Sequence, residues 1–158
     1  MPMFRVLIAA AALGAAFPAA AQADKVDQAG DWWLMPSGDL RIDDELLLVD
    51  GAPKRQGNIA TLPTFLMFRE ADSDGVIAIR VDARLDCAAK TRSGVLTRVY
   101  YADGRVENAN AGFDPKPVDD GLLIYQYACL NNSSDMVHYG RRPRSEVTAE
   151  VFRANPKR

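Results

Sequence analysis

Alternation of apolar and polar residues is the clearest signal along the chain, and it is strongest between Ile77 and Cys87. Ile77, Ile79, Val81, Ala83, Leu85 and Cys87 stand at odd positions, with Arg80, Asp82, Arg84 and Asp86 between them. A period of two over that length predicts a strand with one buried and one solvated face, and it puts Cys87 on the buried side. Trp32-Trp33-Leu34-Met35 reads as a first strand, stopped by the turn cluster Pro36-Ser37-Gly38-Asp39. Leu46–Val49 is a short apolar run between acidic flanks, ended by Gly51-Ala52-Pro53. Thr61–Glu70 is apolar on both parities, and Pro63 confines its first residues to an edge or a bulge. Ser93–Tyr101 follows, with Val95, Thr97, Val99 and Tyr101 on one side. Ala102-Asp103-Gly104-Arg105 signals a two-residue type I′ hairpin, from which Val106–Ala109 returns antiparallel. The connections are too short for crossover helices, so the sheet is expected to be antiparallel.

Beyond Pro115 and Pro117 the period changes. Val118, Leu122, Tyr125 and Cys129 are spaced four, three and four apart, which is one face of a helix. Cys129 falls on that apolar face, so a helix laid on the sheet would bring it towards Cys87. Gly121 weakens such a helix by about 1 kcal/mol relative to alanine, leaving packing to supply its stability. Leu123, Tyr127 and Leu130 form a second stripe, read as a widened core face, with a protein interface as the alternative. After Asn131-Asn132 the character turns basic: from Met136 onward there are six Lys or Arg against two Asp or Glu, centred on Arg141-Arg142-Pro143-Arg144. Residues 133–158 therefore read as a solvated basic tail, flexible or with a short helix over Ser145–Ala154. The functional alternative is contact with acidic glycans, lipid headgroups or an acidic partner.

Composition narrows the classes. The chain has 158 residues, a net charge of −2 and one histidine. Residues 1–23 have the layout of a secretory signal peptide: a positive charge within Met1–Arg5, an apolar run over Val6–Phe17, and Ala21-Gln22-Ala23 ahead of Asp24. The apolar run is too short to span a bilayer. Residues 24–31 read as a polar lead-in, and the remainder is one domain long enough for its own core. A polytopic membrane protein, a nucleic-acid binder and a metalloenzyme needing several histidines are all disfavoured. With no cysteine at the cleavage point a lipid anchor is not expected, so the mature chain is expected to be periplasmic or secreted. In that oxidising setting the two cysteines, Cys87 and Cys129, are expected to form a structural disulfide worth about 4 kcal/mol. A redox or metal pair is the alternative, but their spacing is not C-x-x-C, and zinc wants four ligands.

Candidate chemistry is sparse. His138, next to Tyr139 in the polar segment, reads as solvated rather than catalytic. Nothing sets Asp43, Asp44 or Asp50 apart from a charged loop, although a carboxylate pair would suit a glycosidase. Asp72-Ser73-Asp74-Gly75 reads as a turn rather than a calcium loop. Nucleophile-elbow, phosphate-loop and dinucleotide fingerprints are absent from the sequence. The expectation is a non-enzymatic protein with no cofactor and no metal.

The order of features, from the Trp-led strand through Leu46–Asp50, Leu85-Asp86-Cys87, Tyr101-Ala102-Asp103-Gly104 and Phe113–Pro117 to Cys129, resembles the surface-adhesin protein E-like domain of Gram-negative secreted proteins and lipoproteins. The resemblance spans residues 32–132. It implies an α+β fold: an antiparallel sheet of about five to six strands, with a C-terminal helix packed on it and tied to it by Cys87–Cys129. It also implies a binding or interaction module of the cell envelope, engaging a protein partner on the envelope or a host surface. The alternative is a periplasmic structural or maturation factor acting on another envelope protein. Residues of the types found at binding hot spots are Trp32, Trp33, Tyr127, Arg141, Arg142 and Arg144, and since Trp32 and Trp33 alternate, at most one of those two is expected to be exposed. An uncovered sheet edge would also let two copies pair as a homodimer.

Overall fold

A computed structural model describes residues 29–36 and 44–156; the leader, the lead-in to residue 28 and most of the turn after Met35 lie outside the described residues. Eight strands make one open sheet in which every pairing is antiparallel. They are β1 (Ala29–Met35), β2 (Glu45–Asp50), β3 (Lys54–Gln56), β4 (Ile59–Phe68), β5 (Val76–Asp86), β6 (Thr91–Tyr101), β7 (Val106–Pro117) and β8 (Val137–Pro143). Two helices, α1 (Leu123–Cys129) and α2 (Arg144–Ala154), complete the fold. The main path runs β7-β6-β5-β4-β2-β1-β8, and β3 pairs with β4 to one side of it. The class is α+β, with more strands than the five to six expected.

Pro63 shows how the sheet accommodates a missing donor. β4 pairs with β3 over Ile59–Thr61 and with β2 over Thr64–Phe68. Pro63 falls in the gap between those two ladders, where no bond is required of its nitrogen. The β6–β7 hairpin also departs from expectation. Gly104 N–H donates to the Tyr101 carbonyl and Tyr101 N–H to the Arg105 carbonyl, both at 3.0 Å. Only Gly104 of this loop has positive φ, at 86°. The loop is therefore a type I turn closed by a left-handed glycine, three residues long, rather than a two-residue type I′ turn.

Each face of the sheet carries one helix. On one side Leu46, Leu48, Phe65, Met67 and Tyr100 pack with Val147, Val151 and Phe152 of α2. On the other, Val49, Ala60, Leu62, Ala83 and Leu85 pack with Ile124, Tyr125 and Ala128 of α1. Strand β5 thus buries Ala78 on the α2 side as well as Ala83 and Leu85 on the α1 side. A single buried parity was expected, and it fails because α2 covers what was taken as the solvated face.

The C-terminal segment is the largest correction. Residues 137–154 do not form a solvated tail: β8 pairs with β1 from Ala29↔Pro143 to Leu34↔Val137, and α2 seals the core. Val147 and Val151, read as a helical stripe from their spacing, are fully buried. Arg69 anchors the helix end, donating through Nη1 to the Phe152 carbonyl (3.0 Å) and through Nη2 to the Asn155 carbonyl. Those are the carbonyls a helix C-terminus leaves unsatisfied, and the cation also meets the negative end of the dipole. The domain accordingly extends past residue 132 to at least residue 154.

Candidate functional site

Helix α1 is seven residues long and has no side-chain cap, too short to persist by itself in water. Its position is set by what ties it down. The Cys87–Cys129 disulfide joins its last residue to the turn between β5 and β6. Tyr125 donates its hydroxyl proton to the Cys87 carbonyl (3.0 Å), and Arg55 donates to the Ala128 carbonyl. Tyr127 donates to the Gly51 carbonyl at 2.9 Å. Burial, with the Asp31 carboxylate adding to it, pushes the Tyr127 hydroxyl above its ordinary value. Ahead of the helix, Lys90 pairs with Asp120 at 2.9 Å, and that carboxylate holds the ammonium above its ordinary value.

So fixed, α1 covers only part of its face. Beyond it an apolar groove of about 810 Å³ crosses the sheet, within the range of small-molecule sites. Its floor is Leu47, Leu66, Ile79 and Val81; Leu122 and Leu123 form one wall and Phe113 the other. Thr64 also lines it, but its hydroxyl is already spent on the Val81 carbonyl (2.8 Å). Gly94 keeps the floor low: a Cβ there would meet Val81 Cγ1 at 3.0 Å and the Asp82 carbonyl at 3.1 Å. Phe113 is 50% exposed, so its ring is accessible from the groove. At the β6–β7 end the lining turns basic. Arg92 and Lys116 are cross-strand partners there, and Asp114 lies on the same rim. No carboxylate pairs with Arg92 or Lys116 among the described residues.

The residues nominated from sequence fall mostly elsewhere. Trp32 is 1% exposed, with its indole N–H donating to the Arg142 carbonyl at 2.7 Å. Arg144 is fully buried, its guanidinium 4.0 Å from the Phe65 ring centroid, 4.9 Å from Tyr100 and 5.4 Å from Trp32. Neither is available to a partner, so both are corrected from contact residues to core. Arg142 is engaged with Glu150 (2.8 Å) and Glu146 (3.6 Å) on α2. Arg141 is exposed on β8 and is not among the residues that line the groove. Trp33 is half-buried between Tyr127 and His138, with ring centroids at 5.6 and 4.2 Å. His138 Nε2 lies 2.7 Å from Asp31 Oδ1, so the histidine braces β8 against β1. Asp72 Oδ1 accepts from the Asp74 and Val76 N–H groups, the bonding of a tight turn.

Sequence reasoning missed the groove because none of its residues carries reactive chemistry. The one available signal was the run Thr61–Glu70, apolar on both parities, which marks a strand with two covered faces. Among the described residues, no group of three or more His, Cys, Asp or Glu could hold a metal ion, and no helix is long and apolar enough to cross a membrane. The β7 edge carries Pro115 and Pro117, which blunt it against strand pairing with a second copy. No family model, curated protein or solved structure matches the chain.

Proposed function

We propose that this chain is a non-enzymatic binding module of an extracytoplasmic, oxidising compartment, and that its ligand is an apolar molecule held in the groove beside α1. The observation that carries the reading is the groove itself, about 810 Å³ with a floor of aliphatic side chains beside a helix stapled by a disulfide. Burying such surface against a ligand is favourable at about 25 cal/mol per Å². The disulfide supports the compartment, since such bonds persist where the surroundings are oxidising. The reading keeps the binding role implied by the resemblance to surface-adhesin protein E-like domains. It moves the contact from the tryptophans and the basic C-terminal segment to the α1 face.

Titration of the delipidated protein with the neutral fluorescent probe phenylnaphthylamine tests it. The probe is expected to brighten and saturate at one site. Leu66→Trp, which fills the floor from a half-buried position, is expected to abolish that signal with the melting temperature nearly unchanged. Probe binding that survives Leu66→Trp would overturn the assignment to this groove.

A further inference from the structure

Resting on that reading, we propose that the ligand is a single-chain anionic amphiphile, a fatty acid, with its carboxylate held by Arg92 and Lys116 and its acyl chain lying along the sheet. Three observations carry this. The first is shape. Lining residues come from β1, β2, β4, β5, β6 and β7, six adjacent strands, so the groove runs across five strand spacings, about 24 Å. That length suits an extended chain rather than a compact ring system.

The second is polarity along the length. From Met35 and Leu47 through Leu66 and Ile79 to Val81 the floor is aliphatic, and its charged side chains, Arg92, Asp114 and Lys116, all lie at the β6–β7 end. A molecule with one charged end and one long apolar end matches that distribution in a single orientation. The third is charge. Arg92 and Lys116 occupy directly paired positions on β6 and β7, without a carboxylate partner among the described residues. Two like charges held side by side repel, and a carboxylate placed between them relieves that repulsion with charge-assisted hydrogen bonds. Asp114 subtracts from this field but is outnumbered two to one at the rim.

Phe113 closes the side of the groove at the same end, paired across the strands with Gly94. Its exposed ring is placed to cover the first methylenes of the chain.

The test is a calorimetric comparison of hexadecanoate, hexadecanol and hexadecyltrimethylammonium on the delipidated, disulfide-intact protein. Hexadecanoate is expected to bind about fivefold or more tighter than hexadecanol, with the ammonium weakest, and the advantage is expected to shrink as salt rises. In Arg92→Gln/Lys116→Gln the carboxylate advantage should vanish while hexadecanol affinity stays as it was. Both positions are exposed strand sites, so folding should be little affected, and Asp114→Asn should strengthen hexadecanoate by about twofold. Equal affinity for hexadecanoate and hexadecanol, or an advantage that survives the double substitution, would overturn the head-group assignment while leaving the groove as a site for neutral apolar ligands. Failure of all three to bind would overturn both, and would leave the groove to a segment of another protein.

Discussion

The two faces of the sheet are covered by different means, and beside one of the two helices a groove lies open. On the α2 face an eleven-residue helix lies over a continuous aromatic and aliphatic layer, with the Arg144 guanidinium enclosed by Phe65, Tyr100 and Trp32. On the α1 face a seven-residue helix is held by one disulfide and three hydrogen bonds, and the rest of the face is left as a groove. The first arrangement derives its stability from contact area. The second fixes its helix by covalent and polar ties near one end, so the apolar surface beyond the helix need not be covered to keep it in place. An opening of this kind can stand beside a helix that is held by ties rather than by contact area.

That contrast predicts an ordering of effects. Cys87→Ser/Cys129→Ser is expected to cost the most, about 4 kcal/mol for a cross-link spanning 42 residues. Because α1 is too short to stand alone, the loss should fall on the α1 face, abolishing probe binding before the sheet melts. A thermal melt with and without reductant, followed in parallel by phenylnaphthylamine fluorescence, would show this. An unchanged melting temperature would mean that the hydrogen bonds from Tyr125, Tyr127 and Arg55 hold the helix unaided.

On the opposite face Arg144→Ala is expected to cost about 2–4 kcal/mol, through lost packing and lost cation–π contact in a dry setting. Its signature differs: the near-ultraviolet signal of Trp32 should change while amphiphile binding at temperatures below the melt stays the same. If Arg144→Ala weakened binding as much as it weakened folding, the two faces would be coupled and the comparison would break.

How much of this was legible in the sequence follows the same division. Period-two alternation located β5, and helical spacing placed Cys129 on the face that meets Cys87, because both patterns are set by local geometry and one core. The α2 layer was not legible. Arg141-Arg142-Pro143-Arg144 looks like a solvated run, yet β8 alternates, so Arg141 is exposed while Arg142 reaches the acids of α2, and Arg144, the first residue of the helix, turns inward onto three rings. Charge alone could not say which arginine has aromatic neighbours more than forty residues away in sequence. The groove was illegible for another reason: half-covered aliphatic residues such as Leu47 and Ile79 have the same pattern as fully covered ones. What exposes them is the length of α1, which begins at Leu123 rather than near Val118.

Tyr127 gives a smaller and more diagnostic test. Tyr127→Phe removes the hydrogen bond to Gly51 and is expected to cost about 1 kcal/mol near neutral pH. The pH dependence sharpens it. The hydroxyls of Tyr127 and Tyr139 are raised chiefly by burial, and that of Tyr101 chiefly by its hydrogen bond to Glu107. A group whose folded value lies above its unfolded one, about 10 for tyrosine, contributes its full stability below that pH and loses it as pH climbs through the folded value. Urea melts should therefore be insensitive to these groups up to about pH 10 and weaken beyond it. Tyr127→Phe should be less stable at neutrality yet decline less steeply in alkali. A decline as steep as in the parent would assign the alkaline loss to Tyr101, Tyr139 and the Asp120-paired Lys90 instead.

The smallest effect on stability is expected at Phe113, and it separates a wall from a core more cleanly than any larger change. Half its surface is already in water, and it sits on β7, the polar edge strand. Phe113→Ala should therefore shift stability by only about 0.5 kcal/mol. If the ring covers the ligand, the same substitution should weaken hexadecanol and hexadecanoate alike, by about threefold, because the contact it removes is apolar and blind to the head group. Arg92→Gln/Lys116→Gln should do the reverse, erasing discrimination without touching the shared affinity. Finding the two losses independent would place the chain and the head group on separate residues of one site. A Phe113→Ala variant that unfolded would instead make the ring part of the fold, and the α1 face would then be closed more like its opposite than its open groove suggests.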